Sequence, residues 1–123
     1  MSEKKILIVE DDKMISNMYQ TKLKQEGYNV LIAEDGAQGL DLAVKERPDL
    51  ILLDVILPQL DGFTVLQEIR LAPSLKETPV FMLTNLGTTE DKEKAKKLGA
   101  TDYLIKANLT PSQVSDSIKK YLK

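Results

Sequence analysis

Five times along this chain a short apolar run gives way to a stretch with helical spacing, and that alternation leaves few folds open. The apolar runs are Ile6–Val9, Val30–Ala33, Leu50–Leu53, Val80–Leu83 and Tyr103–Ile105. Between them, apolar residues recur on one helical face. Ile15, Met18, Tyr19 and Leu23 form the first such face, and Ala37, Leu40, Ala43 and Val44 the second. Phe63, Leu66 and Ile69 form the third, Ala95 and Leu98 a weak fourth, and Val114, Ile118, Tyr121 and Leu122 the fifth. Strands that alternate with helices over short connections imply a parallel sheet covered on both faces, with right-handed crossovers. The fold expected is α/β: a doubly wound parallel sheet of five strands with five helices, for which the flavodoxin-like order 2-1-3-4-5 is a common one.

Local punctuation agrees with these boundaries. Asp12, Asp35 and Thr88 stand where helix N-caps belong. Thr110-Pro111-Ser112-Gln113 reads as a capping box with proline at the first helical position. Gly27 and Gly99 follow helical segments at positions that favour a left-handed residue. The stretch from Leu71 to Thr78 is the longest irregular connection. No linker or repeat interrupts residues 1–123, which read as one domain with no attached output domain.

Composition narrows the chemistry. The chain has 123 residues, 42% hydrophobic and 29% charged, which suits a globular domain. A net charge of −2 gives no electrostatic basis for direct nucleic-acid binding. No apolar stretch is long enough for membrane insertion, and Met1-Ser2-Glu3-Lys4-Lys5 does not resemble a signal peptide, so a cytoplasmic location is expected. There is no cysteine and no histidine. Thiolate catalysis, imidazole bases and ordinary zinc sites are thereby excluded, and a metal would have to bind through oxygen.

The acidic residues sit where an open parallel sheet forms its crevice, at the carboxyl ends of the strands beside the switch point. Ile6–Val9 ends in Glu10-Asp11-Asp12, and Leu50–Leu53 ends in Asp54. The fourth strand ends at Thr84 and the fifth at Lys106. Two like charges about 4 Å apart repel by roughly 4 kcal/mol at an effective dielectric of 20. Clustered carboxylates therefore call for a cation, and Mg²⁺ (or Mn²⁺) suits oxygen ligands and leaves room for a phosphoryl group. A carboxylate such as Asp54 can accept that group as an acyl phosphate, with Lys106 and the Thr84 hydroxyl neutralising its oxygens.

These residues, in this order, resemble the receiver domain of bacterial two-component response regulators over essentially the whole chain. The motifs are Ile6-Leu7-Ile8-Val9-Glu10-Asp11-Asp12, Leu53-Asp54-Val55-Ile56-Leu57-Pro58-Gln59-Leu60-Asp61-Gly62, Pro79-Val80-Phe81-Met82-Leu83-Thr84, Gly99-Ala100 and Asp102-Tyr103-Leu104-Ile105-Lys106. The resemblance implies a phosphorylation-dependent signalling switch. Asp54 would be the phosphoacceptor, charged by a sensor histidine kinase, a phosphotransfer protein or a small phosphodonor. Glu10, Asp11, Asp54 and the Ile56 backbone carbonyl would hold Mg²⁺, with Asp11 favoured over Glu10 as a direct ligand. Thr84 and Lys106 would contact the phosphoryl group, and Tyr103 would be the aromatic switch residue. The output protein, whose identity the sequence does not give, would read the face of the fourth helix, fifth strand and fifth helix. That face would leave the chain monomeric or pair it as a weak homodimer. Such a domain phosphorylates and dephosphorylates itself but is not a turnover enzyme.

The sequence departs from the family pattern at Ala107, where proline usually follows the lysine, and at Asn85, where a small residue usually follows the threonine. These two positions support an alternative, a degenerate receiver that acts as an interaction module without phosphorylation. Ile56 and Leu86 cannot hold an attacking water, so autodephosphorylation is expected to be slow. A magnesium-dependent phosphohydrolase would want an acid two residues after its nucleophile, where Ile56 stands. A flavodoxin-like electron carrier would want hydroxyls and amides, not acids, after the first strand. Taken singly, Asp12 reads as a helix cap and Lys106 as a surface lysine. Lys92, Lys94, Lys96 and Lys97 read as a solvated basic face, with a docking surface for an acidic partner as the sharper alternative.

Overall fold

Apolar runs without alternation bury both faces of a strand, and here they build a sheet with a core on each side. The structure, a computed structural model, describes residues 3–122. The strands are β1 (Lys5–Val9), β2 (Asn29–Ala33), β3 (Leu50–Leu53), β4 (Val80–Thr84) and β5 (Asp102–Ile105). The helices are α1 (Lys13–Gln25), α2 (Gly36–Glu46), α3 (Gly62–Leu71), α4 (Thr89–Lys97) and α5 (Pro111–Leu122). All strand pairs are parallel, in the order β2-β1-β3-β4-β5. The flavodoxin-like arrangement read from the sequence is therefore the fold of this chain.

Successive strand residues point to opposite faces, and the two cores divide accordingly. Leu7, Val9, Ile51, Leu53, Val80 and Met82 pack with Val65, Leu66, Ile69 and Ala95 from α3 and α4. Ile6, Ile8, Leu50, Leu52, Phe81 and Leu83 pack with Tyr19 and Leu23 of α1 and with Val114 and Ile118 of α5. Residues Leu50–Leu53 are fully buried, so the ends of β1 and β3 lie at the centre of the sheet edge. The β1–β2 and β1–β3 ladders run to Val9↔Ala33 and Val9↔Leu53 and continue through Glu10 N–H to Ala33 O (3.0 Å) and Asp54 N–H to Val9 O (3.2 Å). Backbone pairing thus fixes where both acidic residues start.

The helix caps hold as expected. Asp12 accepts from the amides of Met14 and Ile15, Asp35 from Gln38 and Thr88 from Asp91. Thr110 and Gln113 cap each other's amides at 2.8 and 3.1 Å. Asp61 caps α3 as well, accepting from the Thr64 amide. Gly27 and Gly99 have φ of 96° and 99°. The irregular connection after α3 is held by Arg70, which donates to the carbonyls of Leu75, Thr78 and Gly99.

Some helical positions correct the sequence reading. Met18, Val44 and Tyr121 have apolar spacing yet are 44, 49 and 52% exposed. Ala37 is exposed too, and the buried face of α2 is Gly36, Gly39 and Ala43. In α2 the cause is close approach: a Cβ on Gly39 would lie 2.8 Å from Val9 Cγ1. Larger side chains cannot occupy that face; Leu40 and Leu42 pack half-buried beside it, and Val44 lies outside it.

Candidate functional site

Two buried carboxylates share one ammonium at the carboxyl ends of β1, β3 and β5. Lys106 donates to Asp54 Oδ2 at 2.7 Å and to Glu10 Oε1. The other oxygen of each carboxylate is tied to its own loop. Glu10 Oε2 accepts from Asp12 N–H at 3.1 Å, and Asp54 Oδ1 accepts from Ile56 N–H at 3.2 Å. Glu10 and Asp54 are buried, whereas Asp11 is exposed beside them.

Charge in this cluster does not balance. Glu10, Asp11 and Asp54 bring three negative charges and Lys106 one positive, leaving two negative charges uncompensated. Burial and the shared ammonium both act on titration here. Burial pushes the Glu10 carboxyl up, and hydrogen bonds from Lys106 and the Asp12 amide only partly oppose it. Burial would push the Lys106 ammonium down, but its bonds to Asp54 and Glu10 outweigh this and leave it raised. One ammonium is stabilised by two carboxylates, while each carboxylate has only a share of it. A divalent cation would restore neutrality. Oxygens of Glu10, Asp11 and Asp54 lie within 4.8 Å of one another, a spacing one ion can bridge, and hard oxygen donors suit Mg²⁺ or Mn²⁺.

Thr84 and Tyr103 meet at the peptide units around Leu86. The fully buried Thr84 hydroxyl accepts from Leu86 N–H at 3.4 Å, and the half-buried Tyr103 hydroxyl donates to the Leu86 carbonyl. Leu86 therefore carries a polar contact to each of the two residues. Ile56 is 62% exposed at the mouth of the site. Among the described residues no peptide bond is cis, so Lys106–Ala107 is trans, and Lys106 nevertheless reaches both carboxylates. The structure thus brings together Glu10, Asp11, Asp54 and Lys106, and joins Thr84 to Tyr103 through Leu86.

The chain matches the model of the response regulator receiver domain over residues 6–119. It belongs to that family. Relatives among characterised proteins include the DNA-binding dual master transcriptional regulator RpaA of Synechocystis, 47% identical over 102 residues. That match covers 83% of this chain and 42% of RpaA. The chain spans about half or less of the length of the curated relatives it matches. Among solved structures, the Vibrio cholerae chemotaxis protein CheY4 superposes with a TM-score of 0.92 at 34% identity, covering 98% of this chain and all of that one (100%). The Mn²⁺-bound form of response regulator Rcp1 superposes at 0.83 with 32% identity, covering 96% and 93%. Receiver domains serve phosphorylation-based two-component signalling as phosphoacceptors, bind Mg²⁺ at an acidic pocket, and work with histidine kinases and output domains.

Tyr19 is a neighbour of the receiver's acidic pocket that helical spacing assigns only to the core. It lines a narrow cleft under Glu10 and Asp54 with Ile8, Leu52 and Leu83. Burial raises its phenol pKa, Lys106 opposes that, and Glu10 and Asp54 add to it. Asn85 reads in sequence only as an obstruction, yet its side chain accepts a bond from Ala107 N–H at 2.9 Å. No pattern in the sequence signals that contact, because it joins loops 22 residues apart.

Proposed function

We propose that this receiver takes a phosphoryl group on Asp54 and that Glu10, Asp11 and Lys106 neutralise the charge this brings. The observation that carries the reading is the buried Glu10–Lys106–Asp54 arrangement with Asp11 beside it. An Asp54 carboxylate oxygen forms the new O–P bond while the bond from phosphorus to the donor breaks, and the electron pair leaves with the donor. No strong base is needed, since the donor, a phosphohistidine or a small activated phosphate, already carries a good leaving group. Lys106, now bonded to Asp54 Oδ2, would also contact an added phosphoryl oxygen. Mg²⁺, held by Glu10, Asp11, Asp54 and the Ile56 carbonyl, would supply charge neutralisation to phosphoryl oxygens, with Mn²⁺ as a substitute. Rcp1, a related receiver, is known in a Mn²⁺-bound form.

The read-out proposed is the contact pair at Leu86. If Thr84 turns its hydroxyl toward a phosphoryl oxygen, it releases the Leu86 amide, and the carbonyl that holds Tyr103 shifts with it. Such coupling is a two-state equilibrium biased by modification. Tyr103 also lines a groove of about 290 Å³ between α4 and β5, with Lys92, Ala95 and Lys96 on its helical side. An output partner, or a second copy of the chain, would meet this face. Lys94 is less available for docking an acidic partner, since it lies 4.5 Å over the Phe63 ring. Loss of the phosphoryl group is proposed to be slow, because exposed Ile56 and half-buried Leu86 offer no side chain to hold an attacking water.

The test is incubation with Mg²⁺ and acetyl phosphate, followed by intact mass. The expected result is one added phosphoryl group on the unaltered chain and none on Asp54→Asn. No added mass with an active donor would favour the phosphorylation-independent module. Phosphate release over many turnovers from a simple phosphomonoester would favour a hydrolase.

A further inference from the structure

The residue after Thr84 is hydrogen-bonded to the residue after Lys106. Ala107 N–H donates to Asn85 Oδ1 at 2.9 Å. The β4–β5 ladder ends one step earlier, at Thr84↔Ile105. Beyond that pair β4 leads into the loop before α4, and β5 passes into a 3₁₀ turn over Lys106–Asn108. Parallel chains that leave a ladder are free to diverge, and the first amides of a helical turn have no partner within it. Ile105, which opens this turn, provides no side-chain cap. The Asn85 carboxamide fills that place: it accepts one of the unpartnered amides and adds a side-chain rung beyond the last strand pair.

Both residues of the contact are exposed, so it adds little to the core. What it fixes is its neighbours. Lys106 lies between the last β5 rung and this clasp, and its ammonium reaches Asp54 and Glu10 from there. The two departures from the family pattern are complementary in this light. Residue 107 has an amide hydrogen to donate because it is not proline, and residue 85 has an acceptor because it is not a small residue.

We propose that Asn85 is a positioning residue for Lys106, acting through the Ala107 amide, and that residues 85 and 107 work as one pair. The proposal rests on the reading of Asp54 as phosphoacceptor. Without the clasp the turn after β5 moves more freely, and Lys106 spends less time over the site.

The experiment measures the second-order rate of Asp54 phosphorylation by acetyl phosphate with saturating Mg²⁺. Asn85→Leu keeps the side chain's size and removes its acceptor. It is expected to slow the reaction by about two- to tenfold, the range one net hydrogen bond supplies. Asn85→Asp keeps an acceptor oxygen at the same reach and, in high salt that screens its added charge, is expected to stay within about twofold of the unaltered protein. In an Ala107→Pro background the donor is gone, and Asn85→Leu is expected to change nothing further. Three results would overturn the proposal: an Asn85→Leu loss equally large in the Ala107→Pro background, no Asn85→Leu loss in the unaltered background, or an Asn85→Asp loss matching that of Asn85→Leu. If Ala107→Pro does not fold, the Leu and Asp comparison decides alone. Failure of the unaltered chain to take a phosphoryl group would refute the reading of Asp54 instead, which keeps the two failures distinct.

Discussion

Replacing Gly62 by alanine tests how rigidly the helix after Asp54 is docked against the site. A Cβ at Gly62 would stand 2.0 Å from the Asp54 carbonyl oxygen, 2.7 Å from Val55 Cα and 2.8 Å from the Asp54 carbonyl carbon. All three are backbone atoms, so no rotamer change relieves the clash. The first of them is about 1.4 Å short of the 3.4 Å at which ordinary contact begins. Retreat by that distance would also break the 2.7 Å bond from Gly62 N–H to Val55 O. Overpacking typically costs about 1–3 kcal/mol, and a lost hydrogen bond adds about 0.5–1.5 kcal/mol. Gly62→Ala is therefore expected to destabilise the domain by about 2–4 kcal/mol, a large part of the roughly 5–15 kcal/mol that holds a domain together. Urea unfolding measures this, and titration with Mg²⁺ should show weaker binding, because the Asp54–Ile56 loop moves with the helix. Gly87→Ala is the internal control. Its Cβ would meet only the flexible end of Ile105, at 3.3 Å, so a loss under about 1 kcal/mol is expected. If Gly62→Ala unfolds within about 0.5 kcal/mol of the unaltered protein, the close-approach argument is wrong.

Three further outcomes follow from other contacts. Asp11→Asn should weaken Mg²⁺ binding at least about tenfold by calorimetry, since even outer-shell changes cost 10–100-fold. It should also stabilise the metal-free fold slightly, by less than about 1 kcal/mol because Asp11 is exposed. Ser115 buries a hydroxyl with no partner among the described residues, so Ser115→Ala should leave thermal stability equal or higher, by up to about 1 kcal/mol; a clear loss would contradict that reading of the hydroxyl. On the α1–α5 side, Lys119 first and Lys22 second hold the Glu26 carboxyl below its usual 4.5. That interaction stabilises the fold above pH 4.5 and is lost as pH falls through the depressed value. The Lys119 ammonium is raised by the same bond, so its contribution is complete below 10.5 and fades as pH rises through the raised value. Glu26→Gln should therefore lower urea stability near pH 7 and match the unaltered protein in strong acid. Equal deficits at both pH values would show that the pairing is not the cause.

The architecture is legible because each strand here is buried on one or both faces, and burial writes itself into sequence as apolar runs. Leu50–Leu53 has no polar residue to break the run, and it is the strand at the centre of the sheet. The acidic cluster is legible for a related reason: in a parallel sheet all the strands end on one edge, so residues far apart in sequence must meet there. What stays hidden is decided by helix–sheet distance and by side-chain direction. Val44 fits the helical spacing but is exposed, because α2 turns Gly36, Gly39 and Ala43 to the sheet, where Gly36 and Gly39 come too near the Leu60 backbone and Val9 for a larger side chain. Nothing in a periodic pattern encodes that distance.

Asn85 and Ala107 show a different limit. Read one at a time, each is a loss: a bulkier residue beside Thr84, and a missing proline after Lys106. Each therefore counts toward a degenerate receiver. Side by side in space, one supplies an acceptor and the other a donor, and the contact lies at the point where the two strands part. Lys106 bonds to both Glu10 and Asp54 with Ala107 after it, so the missing proline does not keep the ammonium from the site. Departures from a family pattern are thus weak arguments for lost function until their spatial partners are known. A pair of departures that satisfies its own hydrogen bond gives the degenerate reading no support of its own.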